Sequence, residues 1–93
     1  MCINKDLLVR FYSSINFSLR NLIHFRVLST YGKPFDQFLV EEPWAAYDVL
    51  TRAMGKHNAD LFVNMLRDWL EKNGCRITVE EVKKFLSSKE AWL

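Results

Sequence analysis

Glycine and proline are scarce in this chain, with three Gly and two Pro in 93 residues. An all-β chain of this length must turn many times, so the scarcity argues against that class. Cysteine is scarce too, at Cys2 and Cys75 only. A disulfide scaffold needs more, and Cys2 sits at the terminus. The expectation is two free thiols in a reducing compartment, with a Cys2–Cys75 bridge as the alternative that geometry must decide. No stretch approaches the roughly 18 consecutive apolar residues of a membrane span. Asp6, Arg10, Ser13, Ser14 and Asn16 interrupt any signal-peptide core. No transmembrane segment is expected, and the expected location is cytoplasmic. Histidine occurs twice, at His24 and His57. His57 lies in a turn beside Asn58 and Asp60, with no further Cys or His at ligand spacing, so neither a metal nor any other cofactor is expected.

Apolar residues are plentiful. The composition is 49% hydrophobic and 26% charged, with seven Phe among the aromatics. That is globular usage, and the length is that of one domain over 1–93. The net charge of +2 is small, but its distribution is uneven. Residues 1–33 carry Lys5, Arg10, Arg20, Arg26 and Lys33 against Asp6 alone, a net +4. Residues 34–93 carry eight basic and ten acidic residues, a net −2. A basic arm therefore precedes a mildly acidic body.

Apolar spacing predicts five helices, at about 4–29, 34–41, 43–54, 58–73 and 78–88, packed as an all-α bundle. Asn4 can cap the first, with Asp6 in its first turn. Leu8, Phe11, Tyr12, Ile15, Leu19, Leu22 and Ile23 share one side; Arg10, Arg20 and His24 lie opposite. Arg26 then falls on the apolar face, and Phe17 and Leu28 on the polar one. One long helix is expected, with a break at 13–16 as the alternative, since Ser and Asn are poor helix-interior residues and good caps. Gly32 and Pro34 separate it from a short helix built on Phe35, Phe38 and Leu39. Pro43 opens the next, with Ala46, Tyr47, Leu50, Ala53 and Met54 inward and Gly55 as a left-handed stop. Asn58 is the expected N-cap of the fourth, whose inward face is Leu61, Phe62, Met65, Leu66, Trp69 and Leu70. Thr78 and Glu81 form a capping box at the start of the last.

No set of residues carries a recognisable reaction. Ser13, Ser14, Ser87 and Ser88 have no nucleophile elbow around them, and Glu41 and Glu42 diverge as neighbours on a helix. The chain is expected not to be an enzyme. Residues 69–81 bear a superficial likeness to an EF-hand, with Glu71, Asn73 and Glu80 in ligand positions, but Trp69 stands where the first carboxylate belongs and Arg76 where an apolar residue belongs. Calcium binding there is a further alternative. Weak nucleic-acid binding through the basic N-terminal helix, by Lys5, Arg10, Arg20 and Lys33, is the second reading. Glu80 and Glu81 at the start of helix 78–88 would repel phosphate.

The pattern Tyr31-Gly32, Phe35-Asp36, Phe38-Leu39, then Pro43, Leu50, Gly55, Ala59 and a final apolar helix resembles a group of small archaeal all-helical domains described as output domains of signalling proteins. The resemblance covers roughly residues 20–75 and consists of turn and core positions. It implies a helical interaction module and carries over no functional residues. The expected function is a non-enzymatic protein-interaction or regulatory module that binds a protein partner or itself. Its candidate surface is Arg10, Arg20, His24, Lys83 and Lys84.

Overall fold

Asn4 starts the first helix as expected, its side-chain oxygen accepting the Leu7 amide at 2.9 Å. In the computed structural model, which describes residues 2–92, the order is α1 (Lys5–Ser14), α2 (Phe17–Tyr31), α3 (Phe35–Glu41), a 3-10 turn (Pro43–Ala45), α4 (Ala46–Met54), α5 (Lys56–Lys72), α6 (Val79–Phe85) and a second 3-10 turn (Lys89–Trp92). Among the described residues there is no strand, so the all-α class holds, with six α-helices rather than five.

The long helix over 4–29 is two helices. Ile15 leaves the helical region (φ −71°, ψ 164°) and buries its side chain, and Asn16 then caps α2 by accepting the Ser18 amide at 2.9 Å. Ser14 closes α1 by donating its hydroxyl to the Phe11 carbonyl at 2.7 Å. The break re-phases the chain. Leu8, Phe11 and Tyr12 face the core from α1, while Ile23 and Val27 face it from α2 and Arg26 turns outward. A straight helix would have buried Arg26; two capped helices avoid that cost.

Gly32 takes the left-handed conformation at φ 70° and donates its amide to the Leu28 carbonyl, ending α2. Gly55 does not act as the expected left-handed stop. At φ 91°, ψ 156° it is the single joint between α4 and α5: its amide donates to Thr51 and its carbonyl accepts from Ala59. The fourth predicted helix therefore begins at Lys56, and Asn58 is not its cap. Asn58 instead donates its side-chain amide to the Met54 carbonyl at 2.8 Å. The capping box of Thr78 and Glu81 forms as expected. Helix α6 stops at Phe85, short of 88, and the Trp92 indole docks on the Phe85 carbonyl at 2.6 Å.

Helix α4 packs on both α5 and α2, and α1 lies on α3. A chain of aromatic edges ties the layers together: Trp69 to Phe11, Phe11 to Phe62, Phe62 to Phe35 and Phe35 to Tyr12, with ring centroids 5.2–5.7 Å apart. Burial pushes the Tyr12 hydroxyl up to about 12, with the charge of Asp36 adding to the rise. The inward faces of α4 and α5 differ from expectation by one step. Val49 replaces Tyr47 and Met54 in the buried set, and Ala59 and Val63 replace Leu61, Met65 and Trp69.

The cysteines are not free thiols. Cys2 and Cys75 are bonded, with Cα atoms 5.7 Å apart, across 73 residues of sequence. The bridge pins the segment before α1 to the segment after α5, where Cys75 is buried and its amide donates to Leu70. A persistent disulfide belongs to oxidising surroundings, so the inference of a reducing compartment loses its support. Among the described residues no helix is long and apolar enough to cross a membrane.

Candidate interaction face on α2

Helix α2 is apolar around nearly its whole circumference, yet the molecule covers only one side of it. Ile23 and Val27 are buried, with Leu19 and Tyr31 packed beside them. On the outer side Phe17 is 66% exposed, Phe25 64%, Leu22 45% and Leu28 37%. At α-helical spacing Phe17, Leu28 and Phe25 fall within an arc of about 80°. Leu22 continues that arc towards α5, where Leu61 is also exposed. These are five of the six large apolar side chains that stand exposed among the described residues; the sixth, Val40, is on α3. A helix hydrophobic all round is normally buried all round, so the bare side requires an explanation.

Two guanidinium groups border the arc. Arg20 donates to the Ser13 carbonyl at 2.6 Å and lies over the Phe17 ring at 5.6 Å. Arg26 is exposed beyond Leu22. The helix contains no acidic residue. Among the described residues neither arginine is ion-paired, while Arg10, Lys33, Arg52, Lys56, Arg67 and Lys83 each are. Where α2 meets α4 and α5 lies a narrow apolar cleft of about 20 Å³, lined by Leu19, Ile23, Met54, Leu61 and Met65 among others. It is barely wide enough for one water, but both of its methionines are flexible.

The predicted surface residues do not come together. Arg20 and His24 share a hollow of about 280 Å³ with Tyr12, Asn21 and Asp36. Arg10 is on α1, paired with Asp6. Lys83 and Lys84 are on α6, which packs against α5 and the two 3-10 turns. Of the cations named for nucleic acid, Arg10 and Lys33 are ion-paired, the latter with Glu41 at 2.8 Å. Of the residues named for calcium, Glu71 pairs with Arg67, the Asn73 side chain donates to the Trp69 carbonyl, and Glu80 stands exposed in the first turn of α6. Among the described residues no group of three or more His, Cys, Asp or Glu side chains could hold a metal ion. No family model, curated protein or solved structure matches the chain. The face is therefore read from its own geometry.

Lys83 belongs to a structural cluster. The Asp60 carboxylate accepts from the Tyr47 hydroxyl at 2.6 Å and from Lys56 Nζ at 2.8 Å, and Lys83 Nζ lies at 3.3 Å while also covering the Tyr47 ring. The hydrogen bond from Lys56, followed by that from Tyr47, holds the Asp60 carboxyl well below the usual carboxylate range. A depressed folded-state value adds stability above the unfolded pKa of about 3.9, and that stability is lost as pH falls further. Asp60→Asn is expected to melt below wild type at pH 7, with the gap closing as pH drops below about 4. A gap of constant size from neutral to strongly acid pH in parallel thermal melts would rule the assignment out.

The exposed phenylalanines were the signal that sequence reading under-used. Phe17 and Leu28 already stood on the polar side of the first helix. Taken with Phe25, they mark a second apolar face on a helix without acids.

Proposed function

We propose that the protein is a non-enzymatic interaction module that binds another protein chain through the exposed face of α2. The observation that carries this reading is the bare apolar arc of Phe17, Leu22, Phe25 and Leu28 on a helix whose opposite side is already buried. The two phenylalanines alone expose on the order of 250 Å² of apolar surface. With the two leucines the patch reaches the size that marks a binding surface on a small monomer.

The test compares wild type with a Phe17→Ser/Phe25→Ser variant. Both side chains are mostly in solvent, so the melting behaviour should stay within about 0.5 kcal/mol of wild type. Cross-linking in an extract of the source cells should yield adducts with wild type, either with another protein or as a dimer, and the variant should lose them. Identical adducts from both proteins would move the working surface away from α2.

A further inference from the structure

We infer that the occupant of the α2 face is an amphipathic helix of a different protein, with carboxylates along both borders of its apolar stripe. This rests on the reading of α2 as an interaction surface and adds the chemistry of the partner.

Charge decides between occupants. The apolar arc is bordered by Arg20 on one side and Arg26 on the other, with no acidic residue on the helix and no ion pair to either arginine among the described residues. Arg10, Arg52 and Arg67 each pair with a carboxylate on their own helix, and Lys56 and Lys83 share that of Asp60. A second copy docked helix to helix would bring four guanidinium groups to one seam with no carboxylate from either α2, and like charges across an interface are costly. A helix flanked by Glu or Asp supplies the missing partners, and Arg favours such carboxylates because its N–H fork can bond them in pairs.

Shape separates a protein helix from a lipid surface. From Phe17 to Leu28 the arc is about 17 Å long, the span of about three helical turns. Past Arg26, towards the buried side of the helix, Leu19 and Ile23 line a cleft against α4 and α5, with Met54 and Met65 in its wall. A leucine or phenylalanine of a partner helix can enter such a trough as an anchor, displacing the methionines. A bilayer interface cannot follow it. The arc also contains Ser18, Asn21 and Ser29, which a protein partner can hydrogen-bond and acyl chains cannot.

The probe is a pair of synthetic amphipathic peptides of about 18 residues with the same leucine stripe, flanked by Glu in one and by Lys in the other. Titrated by fluorescence anisotropy at about 50 mM salt, the Glu peptide should bind about tenfold or more tighter than the Lys peptide. Arg26→Gln, whose side chain is exposed and makes no contact that folding needs, should cut that preference several-fold; Arg26→Lys should retain most of it. Phe25→Ser should weaken both peptides. Equal binding of the two peptides, or a preference untouched by Arg26→Gln, overturns the acidic partner while leaving the α2 face standing if Phe25→Ser still weakens both. A dimer that Phe25→Ser dissociates overturns it in favour of a second copy. Binding to phosphatidylglycerol vesicles with neither peptide bound overturns it in favour of a membrane.

Discussion

Removing the Cys2–Cys75 bridge should lower stability by about 2–4 kcal/mol, the usual effect of opening a long disulfide loop. For a domain of this size that is a fall in melting temperature of roughly 10–20 °C. The bridge closes a loop from before α1 to after α5, across 73 residues, and anchors a segment that would otherwise fray. Next to Cys2, Ile3 is buried in the core, and Asn4 caps α1. Release therefore weakens α1 at its origin as well as freeing the unfolded ensemble. The comparison is a melt with and without a dithiol reductant, repeated on the Cys2→Ser/Cys75→Ser variant, which should behave as reduced wild type. Helical signal at 25 °C should persist in all of them, because most of the core, from α2 to α6, is built from residues away from the bridge. Quantitative alkylation of both cysteines in the protein as purified, with no change in melting on adding reductant, would refute the pairing.

Truncating Phe35 should cost about 3–5 kcal/mol, a large share of the stability of a domain this small. Phe35 opens α3, has no exposed surface, and meets the edges of Tyr12 from α1 and Phe62 from α5. Phe35→Ala empties the point where three helices meet, and rigid neighbours close such a cavity only in part. The internal control is Phe25→Ala, the same chemical change on the bare side of α2, which should stay within about 0.5 kcal/mol of wild type. Chemical denaturation of both variants measures the contrast. Equal losses would mean that Phe25 is a core residue and that α2 has no free face. The two phenylalanines thus test the division of α2 and its neighbours into a structural side and a working side.

How far this division was legible in the sequence varies from element to element. The Asn4 cap and the Thr78–Glu81 box are local: their hydrogen bonds close within three residues, so residue type and spacing suffice to find them. The short helix on Phe35, Phe38 and Leu39 was equally plain, because Pro34 and Glu42–Pro43 bound it on both sides. At Gly55 the residue marked a joint correctly, but its conformation was set by the packing of α4 against α5. The exposed side of α2 was half visible. Phe17 and Leu28 were off-pattern, and off-pattern apolar residues have two explanations that sequence alone leaves equal, a second buried face or an uncovered one.

By itself the sequence determined the helical class, the turn positions at Gly32, Pro43 and Gly55, and the caps at Asn4 and Thr78, because each follows from backbone chemistry over a few residues. Only the tertiary structure decided that 4–29 breaks at Ile15–Asn16. A continuous helix and a capped break differ little in local energy, and the choice fell to burying Ile15, Ile23 and Val27 together while keeping Arg26 in water. The Cys2–Cys75 bridge likewise required the fold, since pairing depends on a 5.7 Å approach between residues far apart in the chain. So did the bare face of α2. Which side of an all-round apolar helix meets water is settled by where α3, α4 and α5 happen to lie, and no periodicity within the helix encodes that.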